Sequence, residues 1–481
     1  MRILFIYKDV NLSGPSGILS LSAVLRAAGH ETGLALAERR GFRAKVRDFK
    51  PDVLAYSVTT GFHRFYLDVN RQLRADLARN GKRILSLFGG PHATFFPEMI
   101  EAEGVDMVCR GEGEDVILDL ANALDGGDDY SRIENLWVKN GSGIVRNDMR
   151  PLIENLDRLP FPDRNLLFDQ DRFTRDSPMK IFFPNRGCPY LCTYCFNHKY
   201  NELYCGKGDI IRYRSVANLL AEIGEVRSKW PLKFIFFLSD NFILDREWVS
   251  EFAERYHREI NLPFSCNIRA NLVDEKVASD LKKAGCVSVI FGVESGDEHL
   301  RNDILKRQIS DEIILRAGSL LRSKGIHLYT QNILALPGET FRQALLTLDL
   351  NQRLRPSYAW ASIFQPYPSN ELTEYAIQNG YFDGNSDRVD YTFHGRTVMN
   401  FSSRRERRMF TNLHRLFGIM AEWPSLGKYA RSLCALPLTP IYSTLYKLWY
   451  GYTNRYRIYP YPLSMREFLM GLVRFFRKDT S

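Results

Sequence analysis

This chain contains no uninterrupted apolar stretch of the roughly 18 residues that a conventional membrane-spanning helix needs. Its amino end, MRILFIYKD, meets charge after a short apolar run and shows neither an h-region nor a small-residue cleavage site, so no secretory leader is expected. Repeats of the solenoid type are missing as well. The eight cysteines do not read as a disulfide framework; in a long chain without a leader their clustering points to metal binding. Hydrophobic residues make up 45% and charged residues 25% of the 481, an ordinary globular balance that excludes wholesale disorder and collagen-like structure. Length alone suggests about two to four domains, and the expected location is cytoplasmic.

Carboxylates run short in one region only. Residues 401–481 carry 14 Lys and Arg against 4 Asp and Glu, a balance of +10; the whole chain sums to +9, so the first 400 residues sum to −1. The basicity belongs to the tail and is not a general nucleic-acid signal.

Short apolar runs at 2–7, 53–57, 84–88 and 105–109 alternate with helical patterns at 18–28, 65–80 and 115–124. Such alternation predicts a parallel, doubly wound sheet. Ligands of that architecture lie beyond the carboxyl ends of the strands, here the loops at 8–17, 57–62, 89–94 and 110–114. A hairpin is expected around Trp137 and Ile144, and Leu159-Pro160-Phe161-Pro162-Asp163 reads as linker. Alternation resumes at 181–184, with strands at 234–238, 264–268, 287–293, 327–334 and 359–364 and helices at 215–229, 275–284 and 311–324. This is the βα pattern of a partial or full parallel barrel.

The chemistry-bearing cluster is Cys188-Pro-Tyr-Leu-Cys192-Thr-Tyr-Cys195, with spacing C-x3-C-x2-C. Three thiolates on one short loop can each take one iron of a cubane cluster, leaving the fourth iron open for a small molecule. The competing reading is a zinc site with His198 as fourth ligand.

RGCPYLCTYC resembles the signature of the radical S-adenosylmethionine (SAM) superfamily. That resemblance implies a [4Fe–4S] cluster on Cys188, Cys192 and Cys195, whose open iron chelates SAM and cleaves it reductively to a 5′-deoxyadenosyl radical. It places Tyr194 beside the adenine and Asp240, in Leu238-Ser-Asp240-Asn241, at the SAM amino group, although Asp240 also suits a turn. Asn267 and Arg269, in Cys266-Asn267-Ile-Arg269, become cofactor contacts, with Arg269 suited equally to the SAM carboxylate or a structural acid. Glu294, in Phe291-Gly-Val-Glu294-Ser295-Gly296, falls in the ribose- and adenine-contacting region. Leu336-Pro337-Gly338-Glu339-Thr340 resembles a family loop that precedes a helix.

The first region resembles the cobalamin-binding domain of the cobalamin-dependent radical enzymes through Pro15-Ser-Gly17-Ile18-Leu19, Phe88-Gly89-Gly90-Pro91-His92 and Arg110-Gly111-Glu112-Gly113-Glu114. Gly17, Thr59, Gly89, Gly90, His92, Glu112 and Gly113 are the candidate cobalamin contacts, together with Asn11. Base-off cobalamin proteins carry D-x-H-x-x-G, with His on cobalt; here the stretch is Asp9-Val-Asn11-Leu-Ser-Gly14, and a neutral amide is a poor cobalt ligand. The alternative is a Rossmann-like domain that binds something else.

The resemblance thus implies an α/β protein. An N-terminal doubly wound, Rossmann-like cobalamin domain occupies 1–145, a linker 146–180, a partial (βα)6-type TIM-like radical SAM core 181–375, and a mostly helical, basic and aromatic region 376–481. The implied activity is methylation of an unactivated carbon of a small-molecule or lipid substrate through methylcobalamin, with oxidative or cyclising chemistry as the alternative. A reducing partner such as flavodoxin or ferredoxin is expected, and nucleic acid is not. The tail can close the active site or touch the inner face of a membrane, since it mixes cations with Trp and Tyr.

Overall fold

The computed structural model describes residues 1–10, 14–79, 84–141, 143–385, 388–389, 397–463, 465 and 467. They form two units: Met1–Asp176 with Tyr200–Ile210, and Ser177–Lys199 with Ile211–Ser481.

In the first unit the apolar runs at 2–7, 53–57, 84–88 and 105–109 become strands whose central residues are buried on both faces, as helices on each side require, and three more exposed strands complete the sheet. These are β1 (Arg2–Tyr7), β2 (Glu31–Leu36), β3 (Val53–Ser57), β4 (Leu85–Gly89), β5 (Met107–Cys109), β6 (Leu136–Asn140) and β7 (Gly143–Arg146). Their order is β2-β1-β3-β4-β5-β6-β7. The first five strands are parallel, and the expected hairpin β6–β7 closes the edge antiparallel. Strand order reverses between β1 and β3, the topological switch point at which doubly wound sheets bind ligands. Helices α1 (Ser16–Ala27), α2 (Phe42–Phe49), α3 (His63–Ala78), α4 (Pro91–Phe95) and α5 (Glu114–Gly126) connect the strands. Strand β2 escapes the sequence pattern because its first half, Glu-Thr-Gly, looks like a turn; the sheet edge, not propensity, extends it. The Pro-rich connector carries α6 (Arg164–Phe168) and α7 (Arg172–Asp176), and both lie in the first unit.

The second unit is an open sheet of six parallel strands, ordered β15-β14-β13-β12-β11-β8. They are β8 (Met179–Phe182), β11 (Phe234–Phe237), β12 (Phe264–Asn267), β13 (Cys286–Glu294), β14 (His327–Leu334) and β15 (Tyr358–Ile363). The two-residue strands β9 (Asn185–Arg186) and β10 (Arg212–Tyr213) form a small ribbon beside it. Helix α8 (Asn197–Leu203) follows the cysteine loop; α9 (Val216–Lys229), α10 (Arg246–Glu259), α11 (Glu275–Ala284), α12 (Asp311–Ser323) and α13 (Phe341–Leu354) are the crossovers. Their starts are set by side-chain caps: Ser215, Asp245, Asp274, Ser310 and Thr340 each accept a backbone N–H of the first turn. Phe237, Phe242, Phe252 and Phe264 interlock edge-on or tilted in the core between sheet and helices. Beyond α14 (Glu371–Gln378), the helices α15 (Arg404–Glu422), α16 (Pro424–Gly427), α17 (Ala430–Ala435) and α18 (Thr439–Thr453) pack around α15, which lies against β15. Among the described residues no helix is long and apolar enough to cross a membrane.

Candidate functional site

The three cysteines lie on the loop after β8, at the carboxyl edge of the six-stranded sheet. Cys192 is buried, and Cys188 and Cys195 are half-buried. Burial pushes the Cys195 thiol up to about 12, opposed by the Asn197 N–H on its Sγ at 3.5 Å. An N–H donor aimed at sulfur favours a metal-bound thiolate there. Arg269 Nη1 is a second such donor, 3.5 Å from Cys192 Sγ. His198 turns Nδ1 to the Cys195 carbonyl at 2.7 Å.

Strand ends bring a buried ionic network beside this loop. The Tyr194 hydroxyl donates to Glu294 Oε1 at 3.0 Å and accepts from Arg307 Nη1 at 2.9 Å. Arg307 and Glu294 lie 3.6 Å apart, each side chain 8% exposed. Burial raises the Glu294 carboxyl above its usual range, while Arg307 and the tyrosine pull it back. Glu294 has a φ of 65° at a register shift where β13 leaves β14. The bulge turns its side chain inward, and a Cβ on Gly292 would collide with its carboxylate. Arg307 also donates to the Gly292 carbonyl, and Arg269 to the Arg307 carbonyl. The Arg269 guanidinium stacks 3.6 Å above the Tyr190 ring.

Asp240 is exposed and accepts from Asn197 Nδ2 at 2.9 Å, while Asn267 donates to the Ser239 carbonyl at 3.0 Å. Ser239 Oγ, Asn241 Nδ2 and Arg307 Nε are buried with no hydrogen-bond partner among the described residues. Unsatisfied donors at one sheet edge, beside buried positive charge, suit a polar, carboxylate-bearing ligand. The residues present therefore fit a cluster with SAM. Arg307, Ser239 and Asn241 escape sequence reading: a Lys-Arg-Gln loop and single small polar residues carry no period or spacing.

The loops of the first unit gather at the carboxyl edge of its own sheet. Gly90 has φ 89° and ψ −175°, a conformation that essentially only glycine adopts. A Cβ there would also meet Val58 N at 2.8 Å. The turn seats His92 beneath Thr60, with Nδ1 to Oγ1 at 3.1 Å, and stacks it on His63 with ring centres 4.3 Å apart. Burial, with His63 adding to it, lowers His92 to about 4, so the ring stays neutral. Glu112 accepts the Ile153 N–H at 2.9 Å, and its own N–H donates to the Tyr204 hydroxyl at 3.0 Å. Gly17 and Thr59 are exposed, and Gly89 and Gly113 half-buried, along the same edge. Asn11 lies outside the described residues. A switch-point edge lined by glycine, threonine and a neutral imidazole fits a large, uncharged-faced ligand such as cobalamin. His63, Thr60 and Tyr204 are additions the sequence did not signal.

The family model of the Radical SAM superfamily matches residues 182–350, and that of the B12 binding domain residues 10–121. An uncharacterised methyltransferase of Pyrococcus horikoshii is 32% identical over 388 residues, covering 78% of this chain and 81% of its own. The anaerobic magnesium-protoporphyrin IX monomethyl ester cyclase of Rubrivivax gelatinosus is 26% identical, covering 77% of this chain and 69% of its own. Among solved structures, the cobalamin-dependent SAM radical enzyme OxsB, with aqua-cobalamin and SAM bound, matches with a TM-score of 0.70 at 16% identity. That match spans 100% of this chain and 75% of OxsB, and shows the shared fold. The chain belongs to the cobalamin-dependent radical S-adenosylmethionine enzymes. Its cofactors are those of the family: a [4Fe–4S] cluster, SAM and cobalamin.

Proposed function

We propose that this enzyme methylates an unactivated carbon of a small-molecule substrate. The observation that carries the reading is the methyltransferase of Pyrococcus horikoshii, matched over 81% of its length by one chain bearing both cofactor domains. When bound, the cluster supplies reductive cleavage of SAM to a hydrogen-abstracting radical, and cobalamin supplies the methyl group. Cys188, Cys192 and Cys195 hold the cluster, and the Arg269 N–H on Cys192 Sγ stabilises the thiolate. Tyr194, Glu294, Arg307, Asn267 and Asp240 orient the SAM adenine, ribose and amino-acid groups. Gly17, Thr59, Gly89, Gly90, His92, Glu112 and Gly113, together with Asn11, would hold cobalamin along this edge. The protein's part is alignment and exclusion of water, the hard chemistry being that of the cofactors. The working arrangement comprises 1–145 for cobalamin, 146–180 as connector, 181–375 for the radical core and 376–481 as cover. An enzyme of this class needs a one-electron reductant, for which flavodoxin or ferredoxin is suited, and the substrate class extends to lipids.

The test is anaerobic reconstitution with iron, sulfide and hydroxocobalamin, followed by metal analysis and turnover with SAM, reductant and candidate substrates. Methylation predicts 5′-deoxyadenosine and a product heavier by one CH2, both lost in Cys192→Ala. Cofactor binding without 5′-deoxyadenosine overturns catalysis altogether. The resemblance to the Rubrivivax gelatinosus cyclase favours a second reading, oxidative cyclisation. It predicts loss of hydrogen or gain of oxygen in the product instead of CH2.

A further inference from the structure

Fifteen large apolar side chains are exposed among the described residues, and eleven of them lie between Trp423 and Met465. On α18 they form a stripe: Ile441, Leu445, Leu448 and Tyr452 are 55%, 42%, 59% and 49% exposed. The neighbouring stripe, Tyr442, Tyr446 and Thr453, is buried. The spacing i, i+4, i+7, i+11 puts the four exposed residues on one helix face. Rings extend the surface without a break: Trp423 lies 4.8 Å from Trp449, Trp449 5.6 Å from Tyr452, and Tyr452 5.3 Å from Tyr456, centre to centre. From Ile441 to Tyr456 this surface is about 22 Å long at a helical rise. An apolar face of this kind on a folded protein marks an interaction site.

Its chemistry selects the occupant. Residues 423–466 contain six Lys and Arg and no Asp or Glu. Lys428 and Arg431 are exposed beside Leu426 and Tyr429. The Arg457 guanidinium stacks on Trp449 and Tyr452, and that of Arg455 on Tyr456. The aromatic residues of the segment are all Trp or Tyr, never Phe. Trp and Tyr suit a boundary that is apolar on one side and wet on the other. A second copy of this chain would set cations against cations with no carboxylate from the segment between them, which is unfavourable. We propose that the surface of α16–α18 docks this enzyme on an anionic phospholipid bilayer, with Ile441, Leu445, Leu448 and Tyr452 in the headgroup–acyl boundary and Lys428, Arg431 and Arg455 on lipid phosphates.

The test is flotation of the full-length, cofactor-loaded chain with vesicles of phosphatidylcholine alone and of phosphatidylcholine with phosphatidylglycerol, at low and high salt. The expected result is flotation with the anionic vesicles, falling at least about tenfold with neutral vesicles or high salt. The triple variant Ile441→Asn, Leu445→Asn, Leu448→Asn lowers it by a similar factor while iron content and melting temperature stay at wild-type values. Charge reversal by Lys428→Glu with Arg431→Glu has the same effect without touching the apolar stripe. Absence of flotation with anionic vesicles overturns the proposal, as does flotation that both variants leave unchanged. A wild-type dimer that the triple variant dissolves, without flotation, assigns the face to a second copy and overturns it equally. None of these readouts depends on the methylation reaction.

Discussion

The carboxyl edges of the two sheets are built from different materials. In the second unit the edge is held by side chains far apart in sequence: Tyr194 meets Arg307 and Glu294, and Arg269 reaches back to Cys192. These are charges in a buried setting, where pairing decides whether the arrangement stands. In the first unit the edge is held by backbone: the Gly90 turn, the Val58 N–H on the Gly89 carbonyl at 2.8 Å, and the His92 N–H on the Val58 carbonyl at 2.9 Å. One edge is built from paired charges and the other from backbone turns. Their failure modes therefore differ.

The largest expected effect is at the charged edge. Arg307→Met leaves the buried Glu294 without its cation and costs about 3–5 kcal/mol of stability, read by urea denaturation of the cofactor-free chain. A loss indistinguishable from that of a surface arginine would erase the contrast between the edges. At the backbone edge, Gly90→Ala costs roughly 1–3 kcal/mol from its φ and ψ alone. Hydroxocobalamin uptake should fall while reconstituted iron content holds, which spectrophotometry and metal analysis resolve together.

Glu339, in the loop before α13, sharpens the comparison with a third kind of site. Its Oε2 accepts the Leu336 N–H at 3.2 Å, and Oε1 is buried with no partner among the described residues. Burial pushes the carboxyl up to about 8 from 4.5. A raised folded pKa gives stability that is whole below the unfolded value and is lost as pH rises through the folded one. Unfolding free energy should thus decline between about pH 5 and pH 8, by on the order of 4 kcal/mol, and Glu339→Gln should flatten the slope. A slope unchanged by the substitution would assign the pH dependence elsewhere. The smallest effect is Thr340→Ala, which breaks the capping box with Gln343 at the start of α13. It should cost about 1 kcal/mol, seen as a small shift in melting temperature with cofactor binding intact.

Much of this was legible beforehand, for stated reasons. Strands buried on both faces announce themselves as apolar runs, so β1 and β3 begin and end where the pattern predicts, and β14 likewise. Helices with a cap and a period were equally plain, as at Glu275–Ala284. Strand β2 and helices α2 and α10 carry no such signal, and α13 is marked only by the loop Leu336–Thr340 before it. β2 and α2 carry weak apolar signals. α10 is mixed with charge, and the parallel sheet, not its own pattern, requires a crossover there. At the site, Tyr194 and Glu294 were singled out separately, and their direct hydrogen bond was not. Arg307 carries no signal in the sequence, although it holds the network together.

What the sequence determined by itself is local: three cysteines within eight residues, alternating apolar runs, glycines in the loops, and a tail without carboxylates over 423–466. Each depends on spacing along the chain, and spacing survives in one dimension. Only the tertiary structure decided which charges are buried together and which apolar side chains stay exposed. Glu294 needs a bulge to turn inward and Arg307 to meet it. Ile441 and Tyr442 are neighbours in sequence and equally apolar in appearance, yet α15 covers one and leaves the other exposed. Burial is a property of what packs against a residue, and that partner is chosen by the fold.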